Sequence, residues 1–123
     1  MNEAPQKSNQ LFLKNSKDLE YVKIYGKRFR SPCFDLVYCL NRQWNDVGIG
    51  IIVGRRFGPA VLRNRAKRIF REIARCSQWH IPKGCHLIVY PKSLALRTRH
   101  QTLKEAWKMK LRETGLWRLG IKQ

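Results

Sequence analysis

Acid is what this chain has least of: 8 Asp and Glu stand against 26 Lys and Arg in 123 residues, for a formal charge of +18 at pH 7. Self-repulsion on that scale opposes the compact state, so a polyanion is the natural partner, and nucleic acid or an acidic membrane surface would fit. Long apolar runs are missing as well. The longest, Val47 to Val53, falls far short of the roughly 18 residues a spanning helix needs, and residues 1–10 hold no apolar segment of the signal-peptide kind. The expectation is a cytoplasmic protein without membrane attachment. Cysteines Cys33, Cys39, Cys76 and Cys85 form no CxxC pair, and His80, His86 and His100 do not supply zinc-ligand spacing around them. The expectation is therefore free thiols in or near a core, with no metal held by the protein alone. Repeats and linker-like stretches are absent too. What remains, 43% hydrophobic with 11% aromatic, has globular composition. The length suits one domain over 1–123, with a flexible tail at 1–14 and a short C-terminal tail at 114–123.

Periodicity orders the elements. NSKDLEYVKI, from Asn15 to Ile24, reads as a short helix with Ser16 as N-cap, Asp18 and Glu20 in the first turn, and an end near Gly26. Residues 33–40 alternate Phe34, Leu36, Tyr38 and Leu40 with Cys33, Asp35, Val37 and Cys39, a strand covered at least partly on both faces. After a polar turn over 41–46, residues 47–54 form a second strand, in which Gly48 and Gly50 suggest a bulge or a close backbone neighbour. The period then changes to 3.6, with Pro59 suited to the first helical position. A turn at 82–84, a third strand over 85–90 ended by Pro91, and a helix from Thr98 to Glu113 complete an α+β fold. The seam of that last helix is Leu103, Ala106, Trp107 and Leu111.

The central helix carries the most information. At 100° per residue Leu62, Ala66, Ile69, Phe70 and Ile73 cluster on one side, the core face. With Asn64 at zero, Arg68, Arg71 and Arg75 fall within about 40° of it, with Lys67 on one shoulder and Arg65 on the other. A solvated helix face usually mixes signs at i,i+4. Here Glu72 is the sole acid between Asp46 and Glu105, and neighbours such as Lys67 and Arg71 repel. Phosphate relieves such repulsion, and arginine's planar fork suits its oxygens.

The run GRRFGPAVLRNRAKRIFREIAR resembles the signature of the bacterial ribonuclease P protein family, at Arg55-Arg56, Gly58, Ala60-Val61, Arg63-Asn64-Arg65, Lys67-Arg68 and Arg71. The likeness extends from about Asp18 to Leu111. It implies a single-domain α/β sandwich, order α-β-β(-β)-α-β-α, whose β-α-β unit has a left-handed crossover, against the usual rule. It implies an RNA-binding subunit that joins ribonuclease P RNA to remove the 5′ leader of precursor tRNA, with the chemistry and Mg²⁺ belonging to the assembled ribonucleoprotein. By the same likeness Arg63, Asn64, Arg65, Lys67, Arg68, Arg71 and Arg75 bind the catalytic RNA. Leu19, Lys23, Phe34, Val37, Arg55 and Arg56 line a cleft for the single-stranded leader. Leu19, Lys23 and Val37 stand where the family often has aromatics, and Gly54 where a small hydroxyl residue is common.

Other functions fit the residues less well. The acids are scattered singly along the chain, whereas a two-metal nuclease needs carboxylates that converge, so no catalytic residue is assigned. A ribosomal-type RNA binder needs the charge but not the ordered motif, and duplex DNA binding lacks helix-turn-helix spacing. Because of the +18 charge, sulfate added at low ionic strength should sharpen and raise the thermal transition of the isolated protein, followed by circular dichroism. A transition indifferent to sulfate would refute anion-coupled stability.

Overall fold

Alternating apolar residues at 34–40 and 85–91 specify strands that can be covered on both faces, and these two pair at the centre of the sheet. The computed structural model describes residues 11–118. In chain order these form α1 (Ser16–Tyr25), β1 (Lys27–Arg30), β2 (Phe34–Leu40), β3 (Gly48–Ile51), α2 (Ala60–Ser77), β4 (Cys85–Pro91) and α3 (His100–Thr114). Short 3-10 turns span Arg55–Phe57, Gln78–His80 and Ser93–Arg97. The sheet runs β1-β2-β4-β3; β4 is antiparallel to β2 and parallel to β3. The β-α-β unit expected around the basic helix is therefore β3-α2-β4.

Register assigns the faces. Val37 lies opposite both Arg28 and Ile88, and Ile88 opposite Gly50. With side chains alternating, Arg28, Asp35, Val37, Cys39, Gly50, Ile88 and Tyr90 share one face, and Phe29, Phe34, Leu36, Ile49, Leu87 and Val89 the other. On the first face α1 closes a small cluster of Val22, Val37, Cys39 and Ile88. The second face holds the larger core beneath α2 and α3, where the buried rings of Phe34, Phe70 and Trp107 meet at centroid separations of 5.6 to 6.4 Å. Trp107 Nε1–H donates to Ser77 Oγ at 2.8 Å, tying α3 to the last turn of α2.

Several boundaries differ from the sequence reading, each for a local reason. Asn15, not Ser16, caps α1: its Oδ1 accepts the Lys17 N–H at 2.8 Å, Ser16 is already helical, and only Asp18 is an acid of the first turn. Pro59 is the N-cap of α2 rather than its first residue, with extended ψ of 161°. The second strand ends at Ile51, not Gly54, because the chain must turn into Arg55–Phe57 and then through Gly58 at φ 147°. Gly48 and Gly50 meet side chains rather than backbone; a Cβ would come within 2.7 Å of the His86 ring and 2.5 Å of Leu19 Cδ2 respectively. The edge strand β1 supplies the third strand that the order α-β-β(-β)-α-β-α allows before the central helix; it carries no period of its own because only Phe29 in it is even partly covered. Pro91 closes β4 from within, paired with Phe34, and α3 spans His100–Thr114 rather than 98–113.

The presumed tails also contribute. Leu11 is buried, Phe12 bridges to Ile49, and Ile49 N–H donates to Leu11 O at 2.7 Å, so 11–14 is not loose chain. Leu116 is buried and Trp117 stacks on His80 at 4.0 Å. The remainder of both tail assignments, 1–10 and 119–123, lies outside the described residues. Cys33, Cys39 and Cys85 are buried free thiols, with burial pushing Cys85 up to about 12, but Cys76 is exposed on α2. No helix among the described residues is long and apolar enough to cross a membrane.

Phe70→Ala should cost about 3–5 kcal/mol in urea unfolding, since it empties a site at the meeting of three rings. Met109→Ala, on the outside of α3 with 70% exposure, should stay within about 0.5 kcal/mol of wild type. Equal stability of the two variants would overturn the assigned phase of α2.

Candidate nucleic-acid interface

Helix α2 sorts its residues as the 3.6 period requires. Ala66, Phe70, Ile73, Ala74 and Ser77 are buried, whereas Asn64, Arg65, Arg68, Arg71 and Arg75 are exposed and Lys67 is half-exposed. A shallow groove of about 400 Å³ runs along this outer face, lined by Asn64, Lys67, Arg68, Arg71, Glu72 and Arg75. Among the described residues the one ion pair on α2 is Arg75–Glu72, at 3.9 Å and exposed on both sides, a separation worth little in water. The stripe is thus a row of exposed cations, of which Arg75 also rests over the Phe12 ring at 5.5 Å from its centroid. Arg63 is different: it is half-buried and its Nη1 donates to Gly58 O at 2.6 Å, bracing the turn that enters the helix. Its guanidinium is already committed, which sets it apart from the outward row.

The six residues expected to line a cleft do not come together. Phe34 and Val37 are three apart in one strand and so point to opposite faces. Phe34 is fully buried under α2 and α3 and offers no surface to a ligand, which removes it from any cleft on the α1 side. Val37 is 4% exposed beneath α1, so it is floor rather than wall. Leu19 is partly covered over Gly50, and Lys23 is exposed on α1. Arg55 and Arg56 are exposed on the 3-10 turn after β3. An open groove of about 420 Å³ takes in Arg56 but not Arg55, and its other walls are Ile52, Gly54, Phe57, Tyr90, Pro91, Lys92 and Ser93.

Beside this groove stands a set of residues that sequence reasoning missed. The Arg28 guanidinium lies 4.9 Å from the Tyr90 ring centroid and 3.0 Å from Asp35 Oδ2, while Lys92 Nζ sits 3.0 Å from Asp35 Oδ1. Partial burial works to raise the Asp35 carboxyl, but Lys92 and Arg28, with the Ser31 backbone, outweigh it and hold the group below its ordinary 3.8. Asp35 therefore fixes two cations at the rim of the groove and leans one of them on an aromatic face. Alternation from Val37 could have placed Asp35 on this side. Arg28 and Tyr90 needed the pairing register, which no single-strand pattern contains.

The far end of the same face is occupied by aromatic side chains. Tyr25, Tyr21, Trp44 and His86 follow one another at 4.7, 5.3 and 3.7 Å, and His86 Nε2 lies 3.1 Å from Asp46 Oδ1. His86 is thus a buried histidine within a stack, His80 bonds Arg118 O through Nδ1 at 2.7 Å, and His100 opens α3 in solvent. Among the described residues no three His, Cys, Asp or Glu side chains group as a metal site.

Comparison with known proteins points to one family and one fold. A family model described as Ribonuclease P matches residues 8–115. A "Ribonuclease P protein component" of Oleidesulfovibrio alaskensis is 40% identical over 80 residues, 59% of this chain and 61% of that protein. One from Chlamydia trachomatis is 36% identical over 76 residues, 62% of each chain. The match thus spans about three fifths of these relatives' own length. The RNase P protein from Thermotoga maritima superposes with a TM-score of 0.71 at 30% identity, over 82% of this chain and 94% of that one. The Staphylococcus aureus RNase P protein, at 23% identity, shares the fold with a TM-score of 0.76 over 88% and 98% of the two chains.

Two outcomes follow from the geometry. Replacing Arg68 and Arg71 together by Ala should leave the melting temperature within a degree or two but weaken binding to single-stranded RNA. The salt dependence should become shallower by about 0.7 for each phosphate no longer neutralised; an unchanged slope would remove the stripe from the interface. For Asp35, a carboxyl held below 3.8 contributes stability that is complete above that value and is lost as pH falls through the lower folded value. Asp35→Asn should flatten that acid limb of an unfolding-versus-pH curve, and a limb unchanged by the substitution would refute the ion pairs.

Proposed function

The chain belongs to the ribonuclease P protein family, and on that premise we propose that it is the RNA-binding subunit of a ribonucleoprotein that removes the 5′ leader from precursor tRNA. The observation that carries this reading is the outward arginine stripe of α2, Arg65, Arg68, Arg71 and Arg75 with Asn64 and Lys67, on a helix whose opposite side is committed to the core. Five cations along about three turns favour a polyanion over any neutral or basic partner, and in this reading the polyanion is the catalytic RNA. Arg63 supports this helix from behind by holding the Gly58 carbonyl.

The groove beside Tyr90 takes the leader in this reading. Tyr90 supplies an aromatic face, Arg56 and Lys92 supply phosphate contacts, and Arg28 is held ready over the ring by Asp35. Arg55 lies just outside the groove, Leu19 and Lys23 belong to α1 and not to its walls, and Val37 is covered by α1. Base stacking on one aromatic is worth roughly 1–3 kcal/mol, so Tyr90 takes the part that Phe34 cannot.

Mg²⁺ enters through the assembled ribonucleoprotein. The donor set of this chain does not fit a cage for it: the carboxylate nearest the stripe, Glu72, stands alone, and Asp35 is neutralised by two cations. No step is assigned to a protein-bound ion. The protein's part is to screen repulsion among the phosphates of the RNA it engages and to orient the leader; bond cleavage belongs to the RNA.

A labelled precursor tRNA at low Mg²⁺ tests this with three mixtures: the protein, a bacterial ribonuclease P RNA, and both. Cleavage at the mature 5′ end should require both at that Mg²⁺ concentration. Cleavage by the protein alone would overturn the assignment of chemistry to RNA, and no stimulation would overturn the subunit reading. Tyr90→Ala should weaken the assembled enzyme's affinity for a leader-bearing substrate about 5- to 150-fold and leave its affinity for leaderless tRNA unchanged.

A further inference from the structure

Trp79 is the most exposed of the tryptophans, at 67%, and it stands one residue beyond the first position of the turn that ends α2. A single exposed apolar side chain is ordinary on a protein surface, as Met109 at 70% and Val61 at 76% are here; Trp79 differs from them by being an indole at the end of the arginine row. Trp107 is buried, Trp117 stacks on His80, and Trp44 stacks on His86. Among the described residues no ring stacks on Trp79 and no cation lies over it.

Its position relative to the arginine stripe is what matters. The backbone keeps right-handed helical angles through Ser77 and Gln78, at φ −104° and −56°. The 100° spacing puts Arg68 about 40° and Arg75 about 20° from Asn64; the tighter 3-10 turn of Gln78–His80 carries Trp79 to between about 60° and 100°, roughly 6–7 Å along the axis past Arg75. The indole therefore prolongs the cationic row at its C-terminal end. Two basic residues are tied to the neighbouring His80: Arg118, whose backbone N–H donates to His80 O at 2.7 Å, and Lys108, whose Nζ lies 5.4 Å from the Trp117 ring that stacks on His80.

We propose that Trp79 is a base-stacking contact for the RNA engaged by α2, receiving one unpaired base where the arginine stripe ends. This rests on the reading of α2 as the RNA-facing helix. Cations alone would serve a duplex backbone. An exposed indole at the end of the row adds recognition of a base that has left its helix, because every base has a π-face and stacking tolerates any sequence. A protein partner matched to this patch would have to be acidic and aromatic-binding at once, whereas single-stranded RNA offers both properties in each nucleotide.

The test measures equilibrium binding of the full chain to a bacterial ribonuclease P RNA across a series of salt concentrations. Trp79→Ala should weaken binding roughly 5- to 150-fold with the slope of log affinity against log salt unchanged, since every cation that meets a phosphate is still in place. Trp79→Phe should recover most of that affinity, and both variants should unfold in urea at the wild-type midpoint. Wild-type affinity for Trp79→Ala, in a preparation where replacing Arg68 and Arg71 weakens binding, overturns the stacking contact alone. Equal weakening in the Phe and Ala variants also overturns it. If the arginine variants bind like wild type, the reading of α2 falls and this proposal with it. A change in the free protein's sedimentation on Trp79→Ala, with RNA affinity unchanged, assigns the indole to a contact between copies and overturns the RNA assignment.

Discussion

Each residue of β2 from Phe34 to Leu40 faces one of β4 from Pro91 to Cys85, and this register decides which side chains become core and which become surface. A slip by one residue would turn Phe34 and Leu36 out from under α2 and α3 and bring Asp35 and Val37 in. The ring contact among Phe34, Phe70 and Trp107 holds the register from one side, and Val22 of α1 on Val37 and Ile88 holds it from the other. The azimuth of α2 follows. Once Phe70 is seated on Phe34, the arginines have no direction left but outward.

Charge is arranged around that frame with few acids to spend. Asp35 serves two cations, Asp46 meets His86, and Glu72 stands alone among the basic residues of α2. Where repulsion could be tolerated, on an exposed helix face in high dielectric, it was left, at a few tenths of a kcal/mol per like-charged i,i+4 pair. Where the chain is partly desolvated, at the rim of the Tyr90 groove, a carboxylate was placed to hold Arg28 and Lys92. The same sign of charge is thus loose on one surface and pinned on the other. Loose cations conform to an irregular backbone of phosphates; pinned ones define a path.

The α2 surface was legible in the sequence because a single helix carries its own geometry: the buried set and the exposed set follow from 3.6 residues per turn and nothing else. The cleft was not, because a cleft on a sheet is made by strand neighbours. Phe34 and Val37 are separated by period-2 alternation alone, so the position that the family resemblance assigns to the cleft falls, at Phe34, on the core side of the sheet. Arg28 and Tyr90 could not have been joined without knowing that β2 lies between β1 and β4. The edge strand β1 and the bridge at Phe12 show the same limit, since short segments with one covered residue carry no period.

The two basic surfaces belong to different layers, since α2 covers one face of the sheet and the Tyr90 groove opens on the other. The Arg55–Phe57 turn joins them, leaving β3 at the groove and delivering the chain to Pro59 at the head of α2. In the proposed assembly that placement means two RNA segments approach opposite sides of a molecule two layers thick, about 20 Å apart, more than twice the screening length of about 8 Å at physiological salt. At that distance each segment is repelled chiefly by its own crowded phosphates, a cost that the RNA alone would meet with high concentrations of divalent cations. A protein of charge +18 set between them removes much of it. The excess of base over acid is therefore better understood as the counter-charge of a site with two strands than as the sum of individual contacts.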